Sequence, residues 1–458
     1  MGANGHARAY VKYQDWAEHP GGGSDDRDTF QGGFRSDFEL EEGHLTVQGD
    51  LGYQEIESRM GVPTFPPPGL DVREVRHRLQ TGNALARWQK ELGVDSTLQV
   101  QAYYDRFNER VFGADQTQQV FDVEAQHRVA LSWGQEITYG AGYRYLPDHL
   151  EPTPLTSFDP VERHEQLFNG FVQDEITLAP DRWRLTLGVK AEHNGWTGWE
   201  FQPNGRLAWT PDEAQTVWGA VSRAVQVPGR NFNDMATLLP PFPNSPLLVM
   251  SSGNRELEAQ GTIAYELGYR IRPAANLAFD VAVFLHEHDH MIAGNPAPPE
   301  FQTEPFPHLE ARGPVNDEGG TTAGVEFAAN WDVLDRWRLS LAYTFLDSEF
   351  DAGAIGFYKA GNDPAHQVSL RSSWDLARDI FVDAWARYVG ELEEPPGVDA
   401  YFDLDVRLAW RPRQEVELAL VGQNLLEPER YEFSTNPYIY RPVTPVPRGV
   451  YLQATLRF

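Results

Sequence analysis

The run Leu285-His286-Glu287-His288-Asp289-His290 places three imidazoles at alternate positions, and in an extended chain alternate side chains leave the same face. Neutral imidazoles on one face can share a zinc or another borderline metal ion. The spacing of His286, His288 and His290 therefore allows a metal or metal-chelate site, although a wetted strand end with three polar residues on the outer rim is the simpler reading. A second group of candidates sits in Pro-rich loops. Arg230, Asn231, Phe232 and Asn233 lie in 229–256, Phe242 lies within Pro240-Pro241-Phe242-Pro243, and Phe306 lies within Pro305-Phe306-Pro307. Capture of a small ligand uses guanidinium, amide and aromatic groups converging from loops, while stiffening by proline accounts for the same runs without a ligand. No phosphate-cradling glycine loop leads into a helix, and there is neither a nucleophile elbow nor a thiol, so no catalytic residues and no bound cofactor are assigned.

The elements that must position these residues are strands. From Val450 to Phe458 every second residue is apolar, and comparable segments of ten to fifteen residues recur along the chain between turn residues. In 401–411, Phe402, Leu404, Val406, Leu408 and Trp410 share one face and Asp403, Asp405 and Arg407 the other. In 183–192, Trp183, Leu185, Leu187, Val189 and Ala191 oppose Arg184, Thr186, Lys190 and Glu192. Charge on a lipid-facing surface is costly, so the charged faces belong to a lumen and the apolar faces to lipid. The pattern predicts an all-β, antiparallel transmembrane β-barrel of about twenty strands. In that barrel Arg206, Asp403, Asp405 and Arg407 are lumenal, serving wall pairing and solvation.

Composition agrees with a barrel and with little else. Only 41% of residues are hydrophobic and mean hydropathy is -0.50, and no stretch approaches the ~18 apolar residues of a spanning helix. A barrel needs grease only at alternate positions. Aromatic residues make up 12%, with 13 Trp and 18 Tyr, as interfacial girdles require. A net charge of -29 argues against nucleic acid or an anionic surface as partner. With no cysteine, there is no disulfide framework and no thiolate site. The spread of strands is even, so 1–458 reads as a single domain, and the opening residues show no secretory signal.

Strands are expected near 5–16, 28–40, 43–58, 79–92, 95–110, 117–132 and 134–148, then 162–179, 182–194, 199–211, 214–228, 257–273, 276–293 and 319–334. The remainder fall near 336–350, 364–377, 380–392, 399–412, 415–427 and 447–458. Connections alternate between tight ones, such as Glu41-Glu42-Gly43 and Ala179-Pro180-Asp181, and long ones at about 17–27, 59–78, 229–256, 294–318, 351–363 and 428–446. Short turns face the periplasm and long loops the exterior. The first strand then runs outward and the last inward, an antiparallel pair of edges able to close the sheet. Trp183, Trp209, Trp337 and Trp410 fall near the turn end, where a periplasmic girdle belongs.

Seven segments in order resemble one family. They are Phe171-Val172-Gln173-Asp174-Glu175; Phe201 to Trp209; Ser222 to Pro228; Gly253 to Glu258 followed by Tyr265 to Arg270; Gly324-Val325-Glu326; Gln423-Asn424-Leu425-Leu426 with Tyr431; and the terminal Phe458. Together they resemble the barrel of a TonB-dependent outer-membrane receptor. The resemblance implies residence in the bacterial outer membrane as a monomer surrounded by outer-membrane lipid. It implies import of a scarce ligand, a ferric siderophore, cobalamin or similar, so that any metal or metal-chelate is cargo. It also implies a 22-stranded barrel, an N-terminal plug and a TonB complex acting through that plug. Set against this pattern, the chain reads as lacking the plug and about two N-terminal strands, with TonB coupling only if a plug is supplied. A plugless passive pore and a barrel remnant are the alternatives.

Overall fold

The computed structural model describes residues 4–17, 26–64, 69–111, 114–153, 155–239, 247–304, 307–351, 362–393, 397–433 and 445–457. Twenty strands hydrogen-bond in chain order as one antiparallel sheet. The first seven are Asn4–Trp16, Arg27–Leu40, Gly43–Thr64, Gly69–Gly93, Ser96–Val111, Ala114–Leu131 and Gln135–Glu151. Next come Glu162–Ala179, Trp183–Asn194, Gly198–Asp212, Gln215–Gln226, Gln260–Ala274, Leu277–Ala293 and Val315–Leu334. The last six are Trp337–Phe350, His366–Ala377, Ile380–Val389, Tyr401–Arg413, Val416–Gln423 and Gly449–Leu456. Each corresponds to one strand expected from the alternation.

Burial is inverted relative to a water-soluble sandwich, and the inversion follows from that alternation. Leu408, Trp410, Leu418 and Leu420 are 43–50% exposed, whereas Asp403, Ala409, Glu417 and Ala419 on the opposite face are buried. Apolar groups on the convex face meet lipid, and charged groups pair inside. Arg407 reaches Glu417 at 2.6 Å, and Arg411 reaches the same carboxylate at 2.5 Å.

At one end, connections of only two or three residues join the strands, as at 41–42, 94–95, 132–134, 180–182 and 213–214. Gly134 (φ 84°) and Asp181 (φ 57°) supply the left-handed residue that three-residue hairpin loops use. Tryptophans adjoin these turns. Trp183 and Trp209 are register partners and stack, with centroids 5.6 Å apart. Trp337 and Trp374 are register partners too, with their rings tilted by 33° and centroids 5.7 Å apart, and Trp410 Nε1 donates to Asp379 Oδ2 at 3.2 Å.

The structure departs from expectation in three places, the first two at the long-loop end. The interval 59–78 is not a loop: strands Gly43–Thr64 and Gly69–Gly93 continue as one hairpin to Thr64↔Gly69. Here Arg59 pairs with Glu74, Arg76 with Glu57 and Arg78 with Glu55 on one face and Ser58 meets His77 on the other, so neither face is purely apolar and the alternation that marks a strand in lipid is lost. Second, the loops at 229–256 and 294–318 are partly folded. Glu300–Gln302, His308–Ala311, Leu248–Ser252, Met235–Leu239 and Thr156–Phe158 form, in that order, a five-stranded sheet drawn from three outer connections. Leu248–Ser252 and His308–Ala311 pair in parallel. Leu248, Val249, Ile292 and His308 are 3% exposed or less, so a compact core sits at the rim. Third, among the described residues no pairing joins Asn4–Trp16 to Gly449–Leu456. These remain edges, with Val11 75% and Leu452 83% exposed.

Candidate functional site

The lumen wall beside the rim carries a hydrogen-bonded row across four neighbouring strands. Thr262 Oγ1 lies 3.0 Å from His288 Nδ1, His288 Nε2 lies 3.2 Å from Thr322 Oγ1, and Thr322 Oγ1 lies 3.3 Å from Ser348 Oγ. Antiparallel register brings these residues together, with Thr262 opposite His288 and Thr322 opposite Ser348. A cavity of about 430 Å³ opens on this row, lined also by Gln226, Gln260 and Phe350. The Phe350 ring is 6.2 Å from His288. The lining holds amides, hydroxyls, one imidazole, one aromatic ring, the carboxyl-bearing Asp363 and the apolar Val225, Met291 and Leu346, and so can bind a ligand by hydrogen bonds and ring contact.

Two of the three clustered histidines face this wall together. The rings of His286 and His288 lie 6.3 Å apart edge to face, with Phe284 stacked on His286 at 4.9 Å. His290 leaves the row. It has φ 53°, and the register shifts between His288 and Met291, which breaks the strict alternation the spacing assumed. Its ring pairs instead with Glu258 at 3.4 Å and Asp289 at 3.6 Å. The three imidazoles therefore do not share one face, and among the described residues no group of three or more His, Cys, Asp or Glu side chains is disposed to hold a metal ion.

The loop candidates are divided by the fold. Arg230 and Asn233 begin and end a single helical turn, Arg230–Asn233, and both are buried. Arg230 pairs with Asp148 and with Asp234, and its guanidinium also bonds the Pro160 carbonyl. Asn233 Nδ2 donates to the carbonyls of Pro228 at 2.8 Å and Gly229 at 3.0 Å. Both side chains are committed to seating the loop. Asn231 is exposed and Phe232 half-buried, whereas Phe242 and Phe306 lie outside the described residues. Of the lumenal charges, Arg206 covers the Trp218 ring at 4.1 Å, and Asp403, Asp405 and Arg407 are held in ion pairs.

Sequence reasoning missed Thr262, Thr322, Ser348 and Gln260, because hydroxyls and amides in a lumen-facing row are ordinary wet-strand residues. It also missed Asp234, whose wholly buried carboxylate meets Arg163 at 3.0 Å, Arg230 at 3.1 Å and Arg255 at 3.0 Å. Apart from the four-residue step from Arg230 to Asp234, no spacing links those positions; the fold does.

An antiparallel sheet that is apolar outside and ion-paired inside, with tight turns at one end and folded loops at the other, defines an outer-membrane β-barrel. The family model described as "TonB dependent receptor-like, beta-barrel" matches residues 2–425, and the chain belongs to that family. It is 25% identical over 233 residues to the iron-regulated outer membrane virulence protein of Vibrio cholerae serotype O1, a match covering 50% of this chain and 34% of that protein. It is also 25% identical over 147 residues to the catecholate siderophore receptor Fiu of Escherichia coli K12, covering 30% of this chain and 19% of that one. The matched stretches thus span about a third or less of these curated relatives.

Among solved structures, the siderophore receptor PirA from Acinetobacter baumannii superposes with a TM-score of 0.74 at 11% identity, covering 95% of this chain and 71% of that one. The ferric-catecholate import receptor Fiu from E. coli K12 gives 0.75 at 13% identity, covering 99% and 78%. These likenesses establish the fold.

Proposed function

We propose that this barrel takes up a ferric siderophore across the outer membrane. The observation that carries the reading is the cavity on the lumen wall at His288, open beside a folded rim, in a family of receptors. A ferric siderophore is favoured over cobalamin and similar ligands because one relative is named as iron-regulated and another as a catecholate siderophore receptor. Phe350 and His286 offer ring faces, and Gln226, Gln260 and Ser348 offer hydrogen bonds to a large polar chelate. In this reading the iron chelate is cargo, the protein works as a monomer, and the TonB complex supplies energy through a plug.

The test is a tryptophan-fluorescence titration of the full chain in detergent with a ferric catecholate, a ferric hydroxamate and cobalamin. Saturable quenching by the ferric catecholate, weakened at least tenfold by His288→Ala with Phe350→Ala, is the expected result. Large steady conductance in a planar bilayer without saturable binding of any of the three would instead make the barrel a passive pore.

A further inference from the structure

The outer face carries a groove that the uptake reading does not use. It lies over Gly82, which has no side chain to fill it, between Leu51 and Tyr53 on one flank and Tyr104 and Arg106 on the other, with Phe30 at one end and Asn108 above. The groove holds about 640 Å³. Register fixes its direction. Leu51 is opposite Gly82 and Gly82 opposite Arg106, and Leu51, 70% exposed, belongs to the apolar, lipid-facing set. Phe30 on the same face is 49% exposed.

Height follows from strand geometry. Arg106 is ten residues beyond Ser96, the first residue after the tight 94–95 turn. At ~3.4 Å per residue and a tilt of ~40° it stands ~26 Å above that turn, which matches the ~25 Å apolar band. The side chains change character at this level. Below are Leu51 and Ala84, at it are Tyr53 and Tyr104, and above are Gln80, Arg106 and Asn108. Tyr104 lies against Phe121 at 4.9 Å, continuing an aromatic row around the barrel. This is the outer headgroup boundary.

The charges settle the occupant. On this stretch Arg78 is paired with Glu55 at 3.1 Å and Arg110 faces Asp115 at 3.6 Å. Arg106 is exposed and has no ion-pair or hydrogen-bond partner among the described residues. An unpaired guanidinium at the headgroup level, above an apolar channel, matches a phosphate with acyl chains hanging beneath it. The geometry points to a binding site for one acylated, phosphate-bearing lipid of the outer leaflet, with phosphate on Arg106, headgroup hydroxyls at Gln80 and Asn108, and an acyl chain over Gly82 between Leu51 and Tyr104. The chain's overall charge of -29 does not oppose this, because a contact at this range is set by local charge within about a Debye length.

The experiment is native mass spectrometry of the full chain in detergent, titrated with bis-phosphorylated lipid A and with dephosphorylated lipid A. The site predicts at least tenfold tighter binding of the phosphorylated form. Arg106→Gln removes that difference. Gly82→Leu, which fills the channel floor beside the flexible end of Leu51, weakens both lipids. Arg270→Gln, which removes a lumenal guanidinium paired with Asp280, leaves binding unchanged. Equal affinity for the two lipids, or wild-type affinity for lipid A in Arg106→Gln, overturns the assignment. Displacement of lipid A by millimolar inorganic phosphate overturns it too, by showing a bare anion site.

Discussion

The Asp234 carboxylate lies 3.1 Å from Arg230 Nε, four residues back along the chain, with both side chains buried. Arg163 and Arg255 each reach the same carboxylate at 3.0 Å. One anion thus ties together the strand Glu162–Ala179, the helical turn Arg230–Asn233 and the segment after Leu248–Ser252. The rim sheet hangs on this hub. Its backbone joins in as well, since Asp159 N donates to Asp234 O at 3.1 Å.

Removing one member of a buried, multiply bonded ion cluster costs about 3–5 kcal/mol, because the remaining charges stay desolvated. Asp234→Ala is therefore expected to open the rim loops while leaving the barrel folded. Limited proteolysis should cleave within 229–256 at least tenfold faster than in the parent, with heat-modifiable migration of the barrel retained. Unchanged cleavage kinetics would show that the hub does not hold the loop.

Asn424 provides a second fastening, at the opposite side of the chain's order. It is buried with φ 54°, and its N–H donates to Asp405 Oδ1 at 2.9 Å. Its Nδ2 donates to Val446 O at 2.8 Å, and its Oδ1 accepts from Arg430 Nη1 at 2.8 Å. Arg430 in turn meets the fully buried Asp403 at 2.7 Å. Asn424→Gly keeps the left-handed backbone and loses the side-chain bonds. Asn424→Ala loses the bonds and adds the steric cost of about 1 kcal/mol that a Cβ pays there. Urea unfolding in lipid vesicles should rank stability as parent, then Gly, then Ala; an Ala variant as stable as the Gly variant contradicts a steric cost at this left-handed position.

Trp183 and Trp209 stack with their planes 14° apart at the turn end. Such aromatic pairs contribute about 0.5–1.5 kcal/mol beyond area burial. A double-mutant cycle with Trp183→Ala and Trp209→Ala should return a coupling in that range, read from unfolding in vesicles. Zero coupling means each ring serves lipid alone.

How much of this was legible depended on whether lipid touched the residue. Between Trp183 and Ala191, or Phe402 and Trp410, lipid on one face and paired charge on the other force strict alternation, and all twenty barrel strands are visible for that reason. Above the membrane the constraint lapses. Arg59, Arg76 and Arg78 pair across a hairpin that is wet on both sides, so 59–78 looks like a loop. The rim strands are three to five residues long, as with Thr156–Phe158, and too short for a period to register. His290 fails for another reason: a left-handed residue at a register shift leaves no mark in residue type. The cavity at His288 was half legible, since the imidazoles stood out while Thr262, Thr322 and Ser348 did not.

The two edge strands make the most exacting prediction. In an antiparallel sheet alternate residues of an edge strand point their N–H groups away from the neighbour. Gly449–Leu456 pairs along Val416–Gln423 on one side and, among the described residues, with nothing on the other. Val416–Gln423 is flanked on both sides. An unpaired backbone group in hydrocarbon costs several kcal/mol, so such an edge draws in water or lipid headgroups and exchanges its free amides. Hydrogen exchange of this chain in detergent should show half of the amides in Gly449–Leu456 and in Asn4–Trp16 exchanging within minutes. Amides of Val416–Gln423 and of Gly43–Thr64 within the apolar band should persist for hours. Full protection of both edge strands would mean that they are paired in solution, and the exposure of Val11 and Leu452 would then mark lipid contact alone.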